Sequence, residues 1–106
     1  MRLCLKRPKA GIDAIADYNS ETGIFTVLKG STVSLTVAHT EKFRGSKSIE
    51  KSRESTVENN VVISDVVFKS ASTAANYVTG SSTNGMNAWK DENGVTLKEI
   101  LRSKEA

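Results

Sequence analysis

Residues 80–85 read Gly-Ser-Ser-Thr-Asn-Gly. Glycines at this spacing let a phosphate loop bring backbone N–H groups around an anion. Such a loop also needs a lysine and then a serine or threonine directly after its second glycine, but Met86 and Asn87 stand there. Nucleotide hydrolysis is therefore rejected, while a backbone nest for an anion across residues 81–87 stays open. Trp89, the single tryptophan, is either a core anchor or a stacking platform for a base. Aromatic residues make up only 6% of the chain, which favours the core.

The remaining reactive side chains are isolated. Nucleophilic catalysis needs a base beside its nucleophile, and the one histidine, His39, lies between Ala38 and Thr40 with no motif around it. Cys4 is also alone, so an internal disulfide, a zinc cluster and a CxxC redox pair are all ruled out. Asp13 and Asp17 fall on one strand face and read as solvated. Asp91 and Glu92 fall in a turn, where acids are common for local reasons. No catalytic, metal or cofactor constellation is legible, and the chain is read as non-enzymatic.

Charge points more softly. The net charge is +3, but residues 2–9 carry Arg2, Lys6, Arg7 and Lys9 without an acid. Residues 41–54 carry Lys42, Arg44, Lys47, Lys51 and Arg53 against Glu41, Glu50 and Glu54. These clusters allow phosphate contact, although a strong nucleic-acid footprint is usually more basic.

The elements that would position these residues can be read from periodicity. At 106 residues the chain is one domain, able to bury about 65% of its unfolded surface. Its N-terminal segment reaches charge after one short apolar patch, and no apolar run is long enough to span a bilayer. A cytoplasmic, non-membrane protein is expected. Ile12, Ala14, Ala16 and Tyr18 alternate with Asp13 and Asp17, and Asn19-Ser-Glu-Thr-Gly23 supplies a turn, so residues 11–28 predict a β-hairpin. Leu3 and Leu5 predict an edge strand before it, and Val33, Leu35 and Val37 another after it. Residues 46–59 predict a short exposed helix with Ile49, Arg53 and Val57 as its narrow stripe. Residues 61–68 predict a strand bent at Ser64 and Asp65.

Helix signals are clearest towards the C-terminus. Ser70 is suited to cap a helix over residues 71–79, with Ala74, Ala75 and Val78 inward and Gly80 beyond its end. Asn93 and Gly94 form a turn signal. Thr96 and Glu99 form a capping box, with Val95 and Ile100 as a hydrophobic staple, for a helix over residues 97–103. The expected fold is a small single α+β domain over residues 1–106, an antiparallel sheet packed against two or three short helices. Its sheet order and oligomeric state are open.

An ordered series of motifs carries a resemblance. It comprises Thr26-Val-Leu-Lys-Gly-Ser31, Phe68-Lys-Ser-Ala-Ser-Thr-Ala-Ala75, Gly80, Asn84-Gly85, Trp89-Lys90 and Gly94-Val-Thr-Leu97. Across residues 12–97 the chain resembles the domain of unknown function 4357. It is also similar to the related module associated with restriction enzymes and adenine methylases. The resemblance implies an accessory module of GIY-YIG nuclease-like or restriction–modification systems, without an established activity. The family usually has proline where Ala71 stands and an aromatic where Met86 stands. Two functions follow as expectations. The first is a non-catalytic DNA-binding module, with Arg44, Lys47, Arg53, Lys69 and Lys90 on phosphates and Ser81, Asn84, Gly85 and Trp89 in the loop approaching DNA. The alternative is a protein-interaction module that docks on a nuclease or methylase partner through an apolar patch around Met86 and residues 33–37.

Overall fold

The computed structural model describes residues 1–35, 37 and 46–105. The alternating N-terminal segments form strands β1 (Arg2–Arg7) and β2 (Ile12–Tyr18), joined by a 3-10 turn (Pro8–Ala10) and Gly11 in the left-handed region. Asn19 Oδ1 accepts the backbone N–H of Glu21 at 2.9 Å, and this Asx turn leads into β3 (Phe25–Val27). With β6 (Val66–Phe68) they make a four-stranded antiparallel sheet in the order β1-β2-β3-β6. The expected hairpin and first edge strand are both present. Leu3, Leu5, Ile12, Ala14, Ala16, Tyr18, Phe25, Val27 and Phe68 are buried, whereas Asp13, Ile15 and Asp17 are exposed.

The middle of the chain departs from the expected pattern in two places. Residues 61–68 form two strands with different partners, because β5 (Val61–Val62) turns back on β4 (Val57–Glu58) while β6 joins the main sheet. Asn59 and Asn60, with φ of 52° and 66°, make the tight turn between β4 and β5. No strand covers the described residues among 33–37: Val33 is buried, yet Leu35 is 80% exposed, which breaks the alternation. The backbone there is used singly. Thr32 bridges Asp13 of β2 and Val61 of β5, Val33 N–H donates to the Asn60 carbonyl, and Ser34 N–H donates to the Val78 carbonyl. Buried Ser31 both accepts from Ile15 N–H at 3.0 Å and donates to the Ile15 carbonyl, so this crossing is fastened to β2.

The described residues hold four α-helices. α1 (Ser46–Thr56) buries Ile49 alone, as its narrow apolar stripe requires. α2 (Ala71–Thr79) packs on β2, β3 and β6 through Ala74, Ala75, Tyr77 and Val78. Small side chains on both layers, Ala14 and Ala16 below and Ala74 and Ala75 above, leave room for aromatic packing between them. Ring centroids of Tyr18 and Phe25 lie 4.8 Å apart, those of Phe25 and Trp89 5.5 Å, and those of Phe68 and Tyr77 5.0 Å. α3 (Gly85–Ala88) is a single turn absent from the sequence expectation, and α4 (Leu97–Glu105) closes the domain with Leu97 buried. Thr96 Oγ1 accepts the Glu99 N–H at 3.3 Å, which is the first half of the expected box. None of these helices is long and apolar enough to cross a membrane.

α2 owes its ends to specific residues. Ser70 Oγ accepts the Thr73 N–H at 3.1 Å, and Gly80, at φ 70°, returns its N–H to the Asn76 carbonyl. Ser70→Ala leaves that first-turn donor without its cap and is expected to cost about 1 kcal/mol. Urea denaturation checks it; an unchanged midpoint would show that the cap contributes nothing.

Candidate functional site

The loop that opens on Gly80 is built inward. Asn76 Oδ1 takes the Thr83 N–H at 2.8 Å, and Thr79 Oγ1 and Thr83 Oγ1 lie 2.8 Å apart. Ser72 Oγ takes the Gly85 N–H at 3.2 Å. Asn84 caps α3, its Oδ1 accepting the Met86 N–H at 3.0 Å. The Ser81 N–H turns to Thr79 Oγ1, and that of Asn87 to the Asn84 carbonyl. Five of the backbone donors that an anion nest over residues 81–87 would have used are thus already engaged within the protein. The nest is not formed.

Gly85 and Trp89 fix where this loop sits. A Cβ on Gly85 would run into the Ala71 carbonyl group and lie 2.5 Å from Ser72 N, so only glycine lets α3 reach the first turn of α2. Trp89 is 0% exposed, and its Nε1–H donates to the Ala71 carbonyl at 3.0 Å. It is a core anchor, and the stacking-platform role is corrected. Gly85 is likewise corrected from a ligand contact to a packing position. Met86 and Val37 are partly buried against the core and Val33 is buried within it, so among the described residues of the apolar patch expected around Met86 and residues 33–37 only Leu35 is largely exposed.

Arg53 is corrected for another reason. Nε donates to the Tyr77 carbonyl at 3.0 Å, and Nη1 to the Ser34 carbonyl at 2.9 Å. Nη2 reaches Ser34 Oγ at 2.9 Å, the Tyr77 carbonyl at 2.7 Å and the Val78 carbonyl at 3.2 Å. The Tyr77 and Val78 carbonyls lie in the last turn of α2, where a cation complements the helix dipole. The guanidinium also lies over the Tyr77 ring, 6.0 Å from its centroid. Burial pulls its pKa below the ordinary guanidinium range, an effect opposed by Tyr77. Burial in turn pushes the Tyr77 phenol up, against the hydrogen bond to Thr56 Oγ1 at 2.6 Å and the charge of Arg53. Arg53 therefore ties α1 to α2 and to Ser34, its Nε, Nη1 and Nη2 all donating within the fold.

The remaining candidates are dispersed. Lys47 is exposed in the first turn of α1, and Lys69 follows β6 at one edge of the sheet. Lys90 lies beyond the other edge, exchanging backbone hydrogen bonds with Cys4 of β1 at 2.7 and 2.9 Å. Four strand spacings, roughly 19 Å, separate the segments of Lys69 and Lys90. Arg44 and His39 lie outside the described residues. Ser81 is half-buried with its hydroxyl against Thr79.

The structure gathers a different set. Arg7, at the end of β1, lines a recess of about 290 Å³ with Ser82, Thr83, Asn84, Asn87 and Ala88. Lys6 and Lys90 line an adjoining recess that shares Ala88 and also contains Asp91 and Glu92. Among the described residues, Arg7, Lys6 and Lys90 form no ion pair. The available sequence signal was the acid-free run of residues 2–9; what it lacked was the pairing of Lys90 with β1, which is tertiary.

This architecture can be set beside known proteins. A family model described as a domain of unknown function (DUF4357) matches residues 3–101. The chain belongs to the DUF4357 family. No curated protein and no solved structure matches it. The match extends beyond the resembling residues 12–97 to take in β1 from Leu3 and α4 as far as Leu101, so the basic strand is part of the DUF4357 domain.

Because the contact of Gly85 with α2 is backbone to backbone, no rotamer change relieves an added methyl. Gly85→Ala is expected to lower unfolding stability by about 3 kcal/mol through overpacking. Chemical denaturation measures it; a loss under about 0.5 kcal/mol would contradict the close approach.

Proposed function

We propose that this DUF4357 domain is a non-catalytic accessory module that associates with DNA along its β1 edge. The observation that carries the reading is the gathering at the β1 edge of cations from two chain segments joined by the Cys4–Lys90 bridge: Lys6 and Lys90 line one recess and Arg7 the adjoining one, none with an ion-pair partner among the described residues. Lys9 continues the exposed run in the turn after β1. Cations grouped around one edge suit the phosphates of a nucleic-acid backbone, contacts that position a protein without reading sequence. Asp91 and Glu92 beside Lys90 temper the field, so the affinity is that of an auxiliary contact. An accessory place beside a GIY-YIG nuclease-type or restriction–modification protein accords with such weak, backbone-directed binding.

The reading makes a quantitative demand on salt. If Lys6, Arg7 and Lys90 each neutralise one phosphate, log K should fall with log salt at a slope of about −2.7, or about 40-fold between 50 and 200 mM. Fluorescence anisotropy with a short duplex measures this. Lys6→Glu with Lys90→Glu should abolish binding, and Lys69→Glu should leave it intact. Absence of binding at 50 mM salt or below would reject DNA association and leave docking on a nuclease or methylase partner as the surviving alternative.

A further inference from the structure

Among the surface recesses, the one at Arg7 has a distinct charge character. Four others each set their cations beside a carboxylate: Arg53 with Glu50 and Glu54, Arg2 and Lys29 with Asp13, Arg2 with Glu92, and Lys6 and Lys90 with Asp91 and Glu92. The recess of Arg7, Ser82, Thr83, Asn84, Asn87 and Ala88 has a guanidinium and no carboxylate in its lining.

Its polar groups divide into those that hold the rim and those left over. Thr83 is spent inward, its N–H on Asn76 and its hydroxyl at Thr79 and the Ser81 carbonyl. Asn84 commits Oδ1 to the Met86 N–H and leaves its amide nitrogen as a donor. Among the described residues, the Arg7 guanidinium, the Ser82 hydroxyl and the Asn87 amide have no hydrogen-bond partner. The leftover set is one fixed positive charge and several donors, three of them on a loop whose backbone is already fastened to α2. Such a set matches a small anion with several acceptor oxygens.

We propose that this recess is a phosphate-binding subsite, with Arg7 supplying charge and a forked pair of donors and Ser82, Asn84 and Asn87 supplying directional hydrogen bonds. It rests on the reading of the β1 edge as a DNA contact in that the phosphate is taken to be one carried by a nucleic-acid strand. A terminal phosphate and an internal phosphodiester offer the same acceptor oxygens.

The test is an NMR titration of the isotope-labelled full chain with inorganic phosphate, against sodium chloride of equal ionic strength. Phosphate should give saturable shifts at the Ser82 amide, the Asn87 side-chain amide and Arg7 Nε–H, and chloride should not. Arg7→Ala should weaken phosphate binding about tenfold or more, the loss of one charge-assisted contact, with Arg7→Lys recovering only part because it lacks the fork. A second arm compares oligonucleotides with and without a 5′-phosphate: preference for the phosphorylated strand assigns the recess to a terminal group, and equal shifts at the recess assign it to an internal diester. Equal responses to phosphate and chloride, or an unchanged affinity in Arg7→Ala, overturn the subsite. DNA binding without recess shifts removes the subsite but leaves the edge contact; saturable phosphate binding without DNA binding does the reverse.

Discussion

The approach of Gly85 to the Ala71–Ser72 backbone is the constraint on which the second half of the domain depends. Without a Cβ at residue 85, one turn of helix can abut the start of α2, and the Trp89 indole can drop into the core and donate to the Ala71 carbonyl. From there the chain direction is set. Lys90 pairs with Cys4, Leu97 N–H reaches the Trp89 carbonyl, and α4 begins. One close backbone contact therefore places the loop rim, extends the β1 edge and seats the closing helix.

A second constraint is electrostatic and separates structural from available charge. Arg53 sits among carbonyls at the end of α2, where removing it would leave buried acceptors unpaired. Arg7, on the other edge of the domain, has hydroxyl and amide neighbours that leave its charge uncompensated. In sequence the two look alike, as cations in basic clusters. The difference arises from what the fold packs against each: a helix C-terminus absorbs one, and solvent meets the other.

Legibility followed locality. The hairpin of β2 and β3, the Ser70 cap and the Thr96 cap rest on interactions within a few residues, and each was readable from alternation, turn chemistry or capping spacing. The crossing at residues 30–34 was not, because its hydrogen bonds go singly to Asp13, Val62, Asn60 and Val78 instead of to one partner strand. Residues 61–68 read as one bent strand since their β-branched run is continuous; the Asn59–Asn60 turn and the pull of β3 divide it. Ser81, Asn84, Gly85 and Trp89 stand out in the sequence as one loop, yet most of their polar atoms serve the fold. Ser82 and Asn87, which face outward, carried no local mark, and Arg7 joined them only through the position of β1.

On this reading the fold brings Lys6, Arg7 and Lys90 together at the β1 edge, whereas Lys47 of α1 and Lys69 after β6 stand apart from them. A two-dimensional 15N–1H NMR titration with a short DNA duplex at low salt separates the two surfaces. Amide shifts confined to residues 6–9, 82–87 and 90 are expected, with those of Lys47 and Lys69 unmoved. Shifts centred on α1 or on the end of β6, with residues 6–9 and 82–87 silent, would contradict this reading.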